Sequence, residues 1–386
     1  MPMTSRERVL VALNHEEPDR VPILLGVSNA TGIRMTTYRL LKRMLGIEAQ
    51  DHYLYDWPEL GAAALDEEVL LRLRSDVRGV LDAHPIGVQE RNRSRDPGSP
   101  FVDSWGIGQV EIEPGVWFPG LHPLAEAETI EDIENYAGWP DTRDLSRVAH
   151  VKEQARRLAQ ANEFAVMATP WLLFPFERAF GLQGMDRFLM NLVMKPDFAQ
   201  ALLRKNAVLC KELMKPFLDA LGENVDIIKI GDDLGTQTSM LMSPKMYRDI
   251  LKPIHADYID FIKAHTTAKI FFHSDGDVFP LIEDFIEIGV DILNPVQTSA
   301  GKMSNLQELK KRYGHEIVLC GGIDTHKILP RGTPQQVREE VRRVIEILAP
   351  GGGFIAAAVH TIMNDVPPEN ILAMVDAIDE FGCYPR

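Results

Sequence analysis

Six residues in the second half of this 386-residue chain have types and spacing that could do chemistry: Asp232, Asp233, His273, Asp275, Cys320 and His360. His273 and Asp275 alternate across Ser274, so both can face one way if extended backbone continues that far. Together with Cys320 and His360 they form a mixed N, O and S donor set, which suits Zn²⁺. The bland alternative is equally concrete: His273 could bond a backbone carbonyl, and Cys320 could be a small buried hydrophobe. Asp232-Asp233 is a carboxylate pair available for general acid–base work or for orienting a ligand. Adjacent side chains on extended backbone face opposite ways, so at most one of the pair should point into a site. Asn294 and Gln297 are candidate substrate-binding residues, as are Trp171 and Phe174 in the run Trp171-Leu-Leu-Phe-Pro-Phe176. That aromatic run could line a pocket or simply pack as core or lid.

Each of these residues follows a short apolar run, and that fixes the elements needed to position them. Val225–Ile230 ends at Gly231-Asp232-Asp233, Ala268–Phe272 at His273-Ser274-Asp275-Gly276, and Asp291–Leu293 at Asn294-Pro295. Ile317–Leu319 ends at Cys320-Gly321-Gly322, and Phe354–Val359 at His360. Helical patterns from about Pro244, near Phe279, over Asn305–Arg312, over Gln335–Leu348 and over Pro368–Phe381 separate them. Short apolar strands alternating with amphipathic helices require a parallel sheet covered by helices. Ile23–Val27, Val77–Leu81 and Phe164–Thr169 bring the strand count to eight, so the expected fold is α/β, a (β/α)₈ TIM-type barrel. In such a barrel the strand carboxyl ends converge on one mouth. A doubly wound open sheet would compete, but no G-x-G-x-x-G follows an early strand. Residues 91–140 break the rhythm; Gly and Pro abound, and GQVEIEPGVWF reads as a hairpin inserted near one mouth. Asp324 reads as the cap of the helix after it.

Composition excludes several classes. The chain is 45% hydrophobic and 25% charged, an ordinary globular balance. A net charge of −15 argues against a nucleic-acid groove, which needs a basic stripe. Cys210, Cys320 and Cys383 are too few and too scattered for a disulfide framework, so a cytoplasmic location is expected. The N-terminal segment reads as an amphipathic helix capped by Thr4 or Ser5, and no apolar run suits a membrane span.

Several segments resemble the uroporphyrinogen decarboxylase superfamily: Met3-Thr-Ser-Arg-Glu-Arg-Val-Leu-Val-Ala-Leu-Asn14, Pro18-Asp-Arg-Val-Pro22, His273-Ser-Asp-Gly276, Gly321-Gly-Ile-Asp-Thr325, and His360–Asn370 (HTIMNDVPPEN). The resemblance spans nearly the whole chain and implies one barrel domain over residues 1–386. True decarboxylases carry an Arg-rich segment after the first strand that grips porphyrinogen carboxylates; here Ser28-Asn-Ala-Thr-Gly-Ile-Arg34 keeps one Arg. The other branch holds zinc-dependent methyltransferases that work with corrinoid proteins. Its coenzyme M methyltransferases have His-x-Cys in place of His273-x-Asp275 and a later Cys in place of His360. The harder donors here look more like the relatives that demethylate methoxylated aromatics, in which Zn²⁺ would polarise the ether oxygen. The resemblance therefore implies zinc on His273, Asp275 and His360, to which the neighbouring strand end adds Cys320, with Asp232 or Asp233 beside them. It also implies a small methyl donor and cobalamin supplied by a separate corrinoid protein, because Asp324-Thr-His326 begins a cobalamin motif whose Gly position is Leu329. The alternative is a metal-free decarboxylase-like lyase, and a non-catalytic binding barrel is a third reading. A homodimer is compatible with all three.

Overall fold

The computed structural model describes residues 3–56, 61–93, 99–113, 116–171 and 174–384. Leu172 and Leu173 of the aromatic run, residues 94–98 of the expected insertion and the hairpin turn at 114–115 lie outside the described residues.

Seven parallel strands form one sheet: β1 (Val77–Leu81), β2 (Ala165–Thr169), β3 (Ile227–Gly231), β4 (Lys269–His273), β5 (Ile292–Val296), β6 (Val318–Ile323) and β7 (Phe354–Ala358). They lie in chain order, each bonded to the next. The expected strand at Ile23–Val27 takes the eighth position as a short two-sided bridge. Ala356 N–H donates to Pro22 O (2.9 Å), Leu24 N–H to Ala356 O (3.0 Å), and Asp76 N–H to Ile23 O (2.8 Å). It stays short because Pro22 has no N–H to give and Gly26 turns the chain at φ +80°. The sheet thus curls into a TIM-type barrel, as the alternation of elements predicts.

The closure is held electrostatically. The Asp76 carboxylate is fully buried and accepts from Arg8 Nη1 (2.7 Å), Arg20 Nη1 (2.8 Å) and Nη2 (3.0 Å), and Ile23 N–H (2.8 Å). The Pro18-Asp-Arg-Val-Pro22 pattern therefore clamps the eighth segment onto β1. Helix Ser5–Leu13 opens with a Thr4–Glu7 capping box and plugs the amino-terminal end of the barrel. Its Val9 and Leu13 join an interior cluster with Leu24, Val77, Met167, Ile227, Phe271, Ile292, Val318, Cys320 and Ile355.

Among the described residues, no helix is long and apolar enough to cross a membrane. The inserted region forms a three-stranded antiparallel sheet, Phe101–Val102, Gly108–Glu113 and Val116–Leu121, which includes the expected hairpin.

Two strands run longer than their apolar cores suggested. β5 includes Asn294 and Pro295, and β6 carries Cys320, Gly321 and Gly322 within its ladder to β7. Gly321 and Gly322 sit at φ +126° and +93°, conformations open to glycine, so the pair continues the strand where it was expected to end it.

Candidate functional site

The side-chain parity of the strands builds the site in layers. Ile227 and Phe271 point into the apolar interior, so Lys229 and His273, two residues further on, occupy the next inward layer toward the mouth. Asp275 follows β4 by two residues, and His360 lies just beyond β7. One ligand atom each from His273, Asp275 and His360 lies within 4.8 Å of the others. His360 Nε2 is 3.5 Å from Asp275 Oδ2, and His273 Nε2 is 3.9 Å from Asp275 Oδ1. Asp275 Oδ1 is buried and has no hydrogen-bond partner. A buried carboxylate oxygen without a donor, facing imidazole nitrogens, is the arrangement a cation would complete.

The backbone around these groups is rigidly tied. His273 Nδ1 donates to Asn294 Oδ1 at 2.7 Å, which leaves Nε2 as the lone-pair nitrogen facing Asp275. Asp275 N–H donates to Asp233 Oδ1 (2.9 Å), and Gly276 N–H donates to Gln297 Oε1 (2.6 Å). Burial lowers His273 well below its ordinary pKa, with Lys229 and His360 adding to the effect. Burial likewise pushes His360 down to about 4, helped by the positive field of Lys229 and Arg34. Both rings are therefore neutral donors near pH 7. Burial raises Asp275 and Asp233, and it raises Glu177 well above the carboxylate range, each reinforced by neighbouring carboxylates. Lys229 is lowered to about 8 by burial, partly offset by Glu177, Asp233 and Asp275.

A cavity of about 630 Å³ opens above the site, with Asp233, Asp275, His360 and Glu177 on its lining and Trp171, Phe118, Phe180 and Met185 among its apolar walls. The inserted hairpin supplies Phe118, so the insertion does sit at the mouth. A smaller cavity of about 120 Å³ is lined by His273, His360, Lys229, Phe174, Trp171 and Tyr55. The two share Asn29, Trp171, Glu177, Asp233 and His360.

The structure separates the expected residues into two groups. Trp171, Phe174, Asp233, His273, Asp275 and His360 face the cavities. Asp232 does not. It accepts from Phe176 N–H (3.1 Å), Glu177 N–H (2.7 Å) and His255 Nε2 (2.9 Å), holding the amino end of helix Pro175–Gln183. Asn294 and Gln297 stand behind the site and tie His273 and the Gly276 turn, so neither lines a cavity. Cys320 lies outside the three-residue group. Because β6 continues past it, its side chain points into the apolar interior, 3.7 Å from Asn294 Nδ2. Burial pushes the Cys320 thiol up to about 12. Asp324 caps the next helix as expected, accepting from the N–H groups of His326, Lys327 and Ile328. The sequence reading passed over Lys229 and Glu177. The signal for Lys229 was present: of the two charges in the run VDIIKI, Asp226 and Lys229, the lysine has the inward parity of Ile227.

Comparison with known proteins agrees with this barrel. The family model described as uroporphyrinogen decarboxylase (URO-D) matches residues 105–381. The chain belongs to the uroporphyrinogen decarboxylase family. Within that family, the uroporphyrinogen decarboxylase of Pseudoalteromonas translucida is 26% identical over 294 residues, covering 72% of this chain and 75% of that protein. The Actinobacillus succinogenes enzyme of the same name is 29% identical over 141 residues, 33% of this chain and 38% of its own length. Among solved structures, a methyltransferase from Methanosarcina mazei superposes with a TM-score of 0.66 at 19% identity, over 98% of this chain and 99% of that one, which shows a shared fold.

Proposed function

We propose that this family member is a zinc-dependent methyltransferase that moves a methyl group from a small donor, such as a methoxylated aromatic, to a corrinoid carried by a separate protein. The observation that carries the reading is the His273–Asp275–His360 group, with its orphaned Asp275 Oδ1, on the lining of an aromatic-walled cavity. Two imidazoles and one carboxylate form a donor set known for catalytic zinc, and three protein ligands leave a position open to substrate. Zinc held there would polarise the ether oxygen of the donor and make its aryloxide a better leaving group.

The chain's own residues prepare that chemistry. Asn294 fixes the His273 tautomer, and Asp233 fixes the backbone of Asp275 through its N–H. Trp171 and Phe118 offer flat apolar walls to a ring, while the inward-facing carboxylates Asp233 and Glu177 can take up or release a proton near the leaving oxygen. Phe118 and Met185, 54% and 44% exposed, edge the cavity where a corrinoid protein would approach.

Metal analysis of the purified protein tests the reading. Stoichiometric zinc is expected, with loss in His273→Ala and His360→Ala. Full metal occupancy in both variants would overturn the ligand assignment. Iron alone would overturn zinc, because the same donor set also serves Fe(II). Metal-independent binding of a tetrapyrrole would favour the decarboxylase-like lyase instead.

A further inference from the structure

Lys229 is a buried cation of the candidate site that, unlike Arg178 with its Asp103 partner, has no counter-ion in contact among the described residues. Its side chain is 7% exposed, lines the 120 Å³ cavity and reaches the Phe174 ring at 4.8 Å. Among the described residues it makes no hydrogen bond, and no carboxylate oxygen lies within 4.0 Å of Nζ. The nearby carboxylates are engaged elsewhere: Asp233 Oδ1 accepts from Asp275 N–H, and Glu177 Oε1 accepts from Asp233 N–H. An ammonium carries three donors. Holding them in a largely buried cavity with no protein acceptor is costly, and the ring contact recovers only a part of that cost. A methionine would fill the same volume without the penalty. The unspent donors therefore point to a ligand.

We propose that Lys229 is the recognition element of an anion subsite, binding an anionic oxygen (a carboxylate or a phenolate) attached to a flat ring held between Phe174, Trp171 and Tyr55. The cavity is too small for a whole substrate, but it shares Trp171 and His360 with the larger one. A ring-borne oxygen in the small cavity would thus leave the rest of the molecule facing His360 and Asp275. The proposal deepens the methyl-transfer reading and rests on it for the substrate's identity, but the subsite is testable without turnover.

Binding of benzoate and of 4-nitrophenol, whose absorption reports its ionisation, would be measured by calorimetry and absorbance on the full chain with metal content recorded in each sample. Lys229→Met should weaken the bound anion by roughly 10- to 100-fold, the range of one lost charge-assisted hydrogen bond, and leave the neutral probe anisole unchanged. Benzoate preference would identify a carboxylate subsite, and capture of 4-nitrophenol as its phenolate a phenolate one. Lys229→Met should keep or raise Tm, because an uncompensated charge has gone; Lys229→Gln gives a second variant of similar reach. Equal anion affinity in wild type and both variants overturns the proposal, as does absence of binding of either anion to wild type at millimolar concentration. A fall in Tm in both variants would also overturn it, showing that the lysine is an internal counter-ion. Wild type that is purified without zinc and takes up none when it is added, yet binds the anion through Lys229, would retain the subsite while refuting the metal reading, so the two can fail separately.

Discussion

Replacing Asn294 by Ala removes the acceptor that fixes the tautomer of His273. Asn294 is fully buried, and its Oδ1 sits 2.7 Å from His273 Nδ1. Burial keeps the His273 ring neutral, so it carries a single proton. With Oδ1 present that proton belongs on Nδ1, and Nε2 offers its lone pair toward the site. Without Oδ1 the proton can move to Nε2, where the orphaned Asp275 Oδ1, 3.9 Å away, becomes its natural acceptor. One such hydrogen bond would occupy two of the three proposed metal donors at once. Loss of a partner behind a ligating histidine typically weakens metal affinity by about 10- to 100-fold. That corresponds to about 1.4–2.7 kcal/mol. Zinc competition between apo-protein and a chromophoric chelator would read this directly. Asn294→Asp keeps an acceptor and should hold affinity close to wild type. Cys320→Ala, which removes the neighbouring thiol, should also leave zinc affinity unchanged. An Asn294→Ala protein that is folded and binds zinc within about threefold of wild type would refute the tautomer argument. A large loss in Cys320→Ala would restore that thiol to the ligand set.

Other parts of the molecule give sharper stability readouts. Asp76→Ala leaves Arg8 and Arg20 facing each other without their shared carboxylate and should cost about 3–5 kcal/mol, measured by denaturant unfolding. Gly276→Ala would place a Cβ 2.3 Å from the Gly235 carbonyl carbon at φ +91°, so the Asp275 turn must shift. A loss of at least about 1–3 kcal/mol in stability, with weaker zinc binding, is expected, and an unchanged Tm would contradict it. Asp284 links stability to pH. Against the burial that would raise it, Arg248 and Lys252 hold its carboxyl below the ordinary 3.8. A carboxyl depressed in the folded state contributes stability above its unfolded pKa and loses it as pH falls through the folded value. Wild type should therefore exceed Asp284→Asn in Tm at neutral pH, and the gap should close as pH drops below about 4, measured by thermal melts across that range.

Much of this architecture could be read from the sequence because strand ends and helix starts carry local signatures. The Thr4–Glu7 box, the Asp324 cap and the helix over Pro368–Phe381 depend on neighbouring residues alone. The His273-x-Asp275 pair was legible for the same reason, since alternation is a property of one strand. What escaped were matters of register and depth. Cys320 looked like a strand end because two glycines follow it, yet Gly321 and Gly322 continue the ladder and leave the thiol in the apolar interior cluster, outside the His273–Asp275–His360 group. Asn294 is the middle residue of β5, so it backs His273 instead of lining a cavity. The choice between Asp232 and Asp233 turned on where helix Pro175–Gln183 begins, about 55 residues earlier in the chain, since its free N–H groups claim Asp232. No single-strand pattern contains that information.

The charge pattern joins these observations. A metal group alone would be better served without Lys229, whose positive field depresses both histidines and would repel a dication sharing the cavity. Three carboxylates, Glu177, Asp233 and Asp275, surround the lysine without touching it, so they moderate its field but do not satisfy its donors. Two separated positive centres, one a potential metal and one a fixed ammonium, are what an oxygen-bearing substrate with two distinct acceptor groups would bridge. A monofunctional donor such as anisole would use only the first centre. On the proposed reading, a donor that carries a methoxy group and an anionic oxygen on the same ring would engage both centres, and Lys229 would distinguish it from simpler ethers.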